Sequence, residues 1–168
     1  LDGIDATLSA SARAEWRQRV AWSFFIENDV ASAYQLAQLA GEGEGPWMGE
    51  AWWTAGLAAW RLDDCQGAAD AFARSAARAD NRELRAASLY WQARSLVRCR
   101  QPEQATAPLR LAAARDETLY GMLAAEQLGL KLPAQHAEAD FTQGDWQRLR
   151  GDGNVRTAVA LAQIVAAA

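Results

Sequence analysis

The chain has 168 residues, 51% of them hydrophobic, with a formal net charge of −4 and a sequence pI near 5.0. An acidic balance argues against a phosphate-backbone partner, because nucleic-acid binders need a basic face, and no apolar run reaches the roughly 18 residues of a membrane span. Two cysteines and a single histidine, His136, supply no zinc-binding pattern.

Alanine dominates the apolar fraction, β-branched residues form no alternating runs, and the expected fold class is therefore all-α. In chain order, a helix is expected over 12–27, a turn at Asn28-Asp29 and a helix over 30–40. A second pair follows, with helices over 49–62 and 66–79 around a turn at Asp63-Asp64. A third has helices over 82–98 and 103–115 around a turn near Gln101-Pro102. Pro108 is awkward inside the last of these, since interior proline breaks the hydrogen-bond ladder; the helix is expected to start late, near Thr106, or to kink. A further helix spans 117–130, with Gly129 as its terminator and Pro133 beyond. Residues 131–144 read as a loop carrying His136, 145–149 as a short helix, 151–154 as a turn and 155–165 as a last helix.

The three pairs, 12–40, 49–79 and 82–115, resemble one another. Trp53 and Ala55 match Trp91 and Ala93 at an offset of 38 residues, and Ala33-Tyr34 matches Ala71-Phe72 at the same offset. Ala71-Phe72 matches Pro108-Leu109 at 37. Apolar positions recur at three and four residues, as in Ala86, Leu89, Ala93 and Leu96, which is the buried stripe of a helix. Two helices per period of this size predict a single domain over 1–168 built as an α-solenoid, a superhelix of tetratricopeptide-like helix-turn-helix repeats. The segment Gly41 to Gly49 has many glycines but lacks the lysine and hydroxyl order of a phosphate loop, and reads as a connection between pairs.

The segment Tyr90-Trp91-Gln92-Ala93-Arg94 is followed by Leu109, Ala112-Ala113 and then Leu119-Tyr120-Gly121-Met122-Leu123-Ala124-Ala125-Glu126-Gln127-Leu128-Gly129. This order resembles the superhelical region of soluble lytic murein transglycosylases, and Asn154-Val155-Arg156 leading into Ala158-Val159-Ala160-Leu161-Ala162 looks like the next helix of that family. The resemblance runs from about Ala14 to Ala162 and is strongest from Leu89 to Gly129. It implies a bacterial periplasmic location and a parent enzyme that cleaves the bond between N-acetylmuramic acid and N-acetylglucosamine without water, leaving a 1,6-anhydro product. That chemistry uses one glutamate in a lysozyme-like module, marked by a Glu-Ser pair and a Gly-Leu-Met-Gln stretch. Neither occurs here. The chain, which begins at Leu1 without a signal peptide, is expected to be the non-catalytic scaffold segment of such an enzyme, with the catalytic module missing. No catalytic residue, cofactor or metal ligand is expected in it, and the expected partners are glycan strands and the absent catalytic domain. The alternative is a stand-alone tetratricopeptide-like adaptor offering a groove to a peptide. The long period and the helix over 117–130 argue against it.

Against that background, helically spaced tryptophans are expected in the core, where an indole buries a large apolar area. Trp47 and Trp146, beside loops, are the candidates for stacking on sugar rings. Cys65 and Cys99 lie near the turns of successive pairs. An oxidising periplasm allows a disulfide between them if their Cα atoms come within about 7 Å; two separate thiols are the other arrangement. Glu126 sits outside any catalytic motif and reads as a surface residue. Tyr120-Gly121 reads as a close helix packing point, with the tyrosine bonding a neighbouring turn.

Overall fold

In a computed structural model, which describes residues 7–131 and 142–166, the chain is all-helical, with nine α-helices and no strand among the described residues. These are α1 Ala10–Ile26, α2 Val30–Gly41, α3 Met48–Arg61, α4 Cys65–Arg78, α5 Arg82–Arg98, α6 Pro102–Ala113, α7 Leu119–Gln127, α8 Gln143–Leu149 and α9 Gly153–Ala166. His136, Pro133 and most of the loop expected over 131–144 lie outside the described residues; of that loop, Gln143 and Gly144 belong to α8. The chain divides into two compact units, Leu1–Leu132 and Pro133–Ala168.

In the first unit each helix packs against the next, and α1, α3, α5 and α7 also touch in succession. The helix starts are written in side chains. Ser9, Asp29, Asp64, Asn81 and Thr118 each accept a hydrogen bond from the backbone N–H three residues on. Such a cap satisfies one of the orphan donors of a first turn and stabilises by about 1 kcal/mol. In the second unit Thr142 and Asp145 form a reciprocal capping box at α8.

The ends of α1, α3, α5 and α7 share one device. Asn28, Asp63, Arg100 and Gly129 adopt left-handed backbone, with φ of 70°, 62°, 60° and 67°. Each donates its N–H three residues back, and the following residue donates five back, as in Asp64 N–H to the Ala59 carbonyl and Gln101 N–H to the Leu96 carbonyl. This is the Schellman arrangement, and it satisfies the last carbonyls of each helix. In the first three cases the next residue already caps or flanks the following helix, so each pair closes as a tight helical hairpin.

These turns set the true register. Asn28 to Asp63 is 35 residues and Asp63 to Arg100 is 37, whereas side-chain matching suggested 37 to 38. Apolar residues recur every three or four positions along a buried stripe, so a match between stripes slips by one helical turn without losing its apolar partners. Ala33 and Tyr34 correspond in the turn register to Ala68 and Ala69, not to Ala71 and Phe72.

Successive hairpins are tied along the edge that carries these turns. Arg61, the last residue of α3, donates to the Phe25 carbonyl at 3.2 Å and to Asn28 Oδ1 at 2.6 Å. Its guanidinium lies 4.9 Å from the Phe25 ring. Arg98, the last residue of α5, repeats this one hairpin later, donating to the Trp60 carbonyl and to Asp63, with its guanidinium 4.5 Å from the Trp60 ring. Beside that clamp, Cys65 and Cys99 are joined in a disulfide with Cα atoms 5.5 Å apart, and Gln101 donates to Gln66.

Small residues let the helices approach. Phe72 is fully buried at the junction of α3, α4 and α5, against the rings of Trp53 at 5.3 Å and Trp91 at 6.1 Å. Gly56 makes room for it: a Cβ there would stand 2.6 Å from the Phe72 ring. Pro108 sits inside α6 and is buried; the helix starts at Pro102 rather than near Thr106, because proline at the first helical position loses no hydrogen bond. Gly121 does permit a close approach, but to the chain's own α6–α7 connection, where a Cβ would fall 1.9 Å from the Arg115 carbonyl oxygen. Tyr120 meets the ring of Tyr90 at 5.5 Å.

Candidate functional site

The tryptophans divide by environment. Trp52 is buried, and its indole N–H donates to the Gly41 carbonyl at 2.8 Å. Trp53, Trp60 and Trp91 are half-buried. Trp16 and Trp22 on α1 are 53% and 39% exposed, contrary to the core placement expected from their spacing; the buried residues of α1 are the small Ala14 and Ala21. Trp47, at the N-cap of α3, is half-buried with the Arg19 guanidinium 5.1 Å from its ring. Trp146, half-buried on α8, belongs to the second unit. The two tryptophans singled out from the sequence thus stand in different units.

A different set of residues converges. On α5, Trp91, Arg94 and Arg98 occupy positions three, four and seven apart, the spacing of one helical face. Trp60 of α3 meets Trp91 edge to face at 5.3 Å, the favoured geometry for two aromatic quadrupoles. The Arg94 guanidinium lies 5.2 Å from the Trp91 ring, 5.9 Å from Tyr90 and 6.0 Å from Trp60, within the range of attraction between a cation and a ring face. Trp60, Arg94, Val97, Arg98 and Gln127 line a groove of about 460 Å³ that crosses α3, α5 and α7; Trp91 packs against Trp60 but is not part of that lining, and its indole N–H is buried with no partner among the described residues.

The groove opens where the repeated clamp stops. Gln127 ends α7 at the position that Arg61 and Arg98 hold at the ends of α3 and α5. Arg100 stands where Asn28 and Asp63 supply the acceptor. Both halves of the tie are absent between α5 and α7, and the space between those helix ends is left to the groove.

No carboxylate lines it. Arg98 is committed to the Trp60 carbonyl and Asp63. The groove therefore brings together one half-buried indole, Trp60, and the guanidinium donors of Arg94 and Arg98. Among the described residues no group of three or more His, Cys, Asp or Glu is placed to hold a metal ion, and no helix is long and apolar enough to cross a membrane. Glu126 is exposed on α7. The titrating groups that the fold perturbs lie elsewhere. Burial, then Asp80, pushes the Glu50 carboxyl up, with Arg19 opposing. Burial, then Asp64 and Asp70, raises the Tyr34 hydroxyl.

Reading the sequence for aromatics near loops missed Trp60, Trp91, Arg94 and Gln127. A usable signal was present in Tyr90-Trp91-Gln92-Ala93-Arg94, where a tryptophan and an arginine three apart share a face. Comparison with family models, with curated proteins and with solved structures finds no match to this chain in any of the three.

Proposed function

We propose that this chain is the scaffold and substrate-positioning segment of a bacterial lytic transglycosylase, an α-solenoid of tetratricopeptide-like repeats that holds murein glycan strands in the periplasm for a catalytic glutamate in another module. The observation that carries the reading is the groove across α3, α5 and α7, where half-buried Trp60, braced by Trp91, and the exposed Arg94 bring a ring and a donor together. Sugars offer apolar C–H faces to aromatic rings and hydroxyl and amide oxygens to donors, so this pairing suits a glycan. Three further points support the solenoid: one Schellman turn recurs at the ends of α1, α3, α5 and α7, the arginine clamp repeats from Arg61 to Arg98, and alternate helices touch in succession. The Cys65–Cys99 disulfide fits an oxidising compartment. Trp47 and Trp146 are secondary candidates for glycan contact.

Co-sedimentation with peptidoglycan sacculi tests the proposal, with the supernatant assayed for anhydro-muropeptides. The proposal expects binding without product release. Absence of binding removes the positioning role, and product release from this chain overturns the assignment of catalysis to another module.

A further inference from the structure

We propose that the groove across α3, α5 and α7 is an acidic-saccharide site, in which Arg94 receives a carboxylate carried on the sugar that stacks against Trp60. The inference rests on the reading of this groove as a glycan surface and adds the charge of its ligand.

Three observations point there. The Arg94 guanidinium is held among the rings of Trp91, Tyr90 and Trp60, yet the side chain is exposed and makes no hydrogen bond or ion pair with any described residue. Stacking fixes the plane of a guanidinium and leaves its in-plane donors free, which is the geometry that meets a carboxylate with two parallel hydrogen bonds. Next, the wall of the groove carries Arg94 and Arg98 and no acidic side chain, although the chain as a whole bears a net charge of −4. Asp63 is already paired with Arg98, and among the described residues no acidic side chain pairs with Arg94. Lastly, Gln127 lines the groove with an amide that makes no side-chain hydrogen bond among the described residues, where the two earlier hairpins place an arginine clamp. That exchange opens the space and supplies both a donor and an acceptor suited to a hydroxyl or an N-acetyl group.

Lysine would not replace this arginine, because an ammonium offers no planar fork and stacks less well. Arg94 is exposed, and Trp60 and Phe72 both pack on Trp91 directly, so its substitution is expected to leave the fold intact.

The test titrates the whole chain, labelled with 15N, with N-acetylmuramic acid and separately with its methyl ester. The two share the sugar and differ in the charge of one group. The indole N–H resonances of Trp60, in the lining, and of Trp91, packed edge to face against it, report the site, and circular dichroism confirms that each variant is folded. The proposal expects the acid to bind about tenfold tighter than the ester, the yield of one charge-assisted hydrogen-bonded pair. Arg94→Gln brings the acid down to the level of the ester, and Arg94→Lys restores only part of the difference. Equal binding of acid and ester, with both moving the Trp60 and Trp91 signals, overturns the carboxylate assignment and leaves the glycan groove standing. Failure of either compound, and of neutral chitotetraose, to move those signals removes the glycan groove itself.

Discussion

Among the described residues Arg100 is the one long side chain placed in left-handed backbone, at φ 60°, in a position that Asn28, Asp63 and Gly129 fill with residues suited to it. The left-handed region costs an ordinary L-residue roughly 1–2 kcal/mol, part of which glycine returns as lost unfolded-chain entropy. Arg100 is exposed and makes no bond that its side chain would forfeit. Arg100→Gly is therefore expected to raise unfolding free energy by about 0.5–1 kcal/mol in urea titrations, and Gly129→Ala to lower it. Glu50 gives a prediction in pH. Its folded carboxyl is pushed above the ordinary value of 4.5, chiefly by burial. The folded state then holds that proton to higher pH than the unfolded state, so the contribution is fully present below 4.5 and is lost as pH rises through the raised value. Glu50→Gln removes this slope. The melting temperature of the Gln variant relative to the native chain is expected to climb as pH rises above 4.5; a constant difference would contradict it.

At the scale of elements, the edge of turns carries most of the ties between hairpins. Exposed ion pairs such as Arg82–Glu117, at 2.5 Å, contribute about 0–1 kcal/mol. The disulfide is larger. It closes a loop of 34 residues, for which chain entropy gives about 4 kcal/mol. Cys65→Ser with Cys99→Ser is expected to lower unfolding free energy by about that amount while leaving the helical circular dichroism intact, since both residues flank turns rather than core. Gly56→Ala probes the packing of α3 on α4: the added methyl meets the Phe72 ring at 2.6 Å, and overpacking of this kind costs about 1–3 kcal/mol. The helices and their turns were legible in the sequence because their signals are local. Asp63-Asp64 marks both a helix end and a cap, and the helix expected over 82–98 is observed as Arg82–Arg98. The register between hairpins was not, since alanine stripes match equally well one turn apart. Nor was the groove. Trp60, Arg94 and Gln127 stand 34 and 33 positions apart, and only the stacking of α3, α5 and α7 brings them to one surface.

At the scale of the whole molecule, the first unit is a row of helix pairs, each contacting its neighbours. In the solenoid we propose, such an array would distribute stability along its length and offer an extended face to an extended ligand such as a glycan strand. The most direct test of this account follows all eight tryptophans at once. In a 15N-labelled chain titrated with soluble murein glycan strands, the indole N–H signals of Trp60 and Trp91 are predicted to shift. That of Trp52, hydrogen-bonded inside the core to the Gly41 carbonyl, is predicted to stay fixed. Shifts confined to Trp16 and Trp22, or no shift in any indole at millimolar glycan, would contradict the assignment of the α3–α5–α7 groove as the glycan-binding surface.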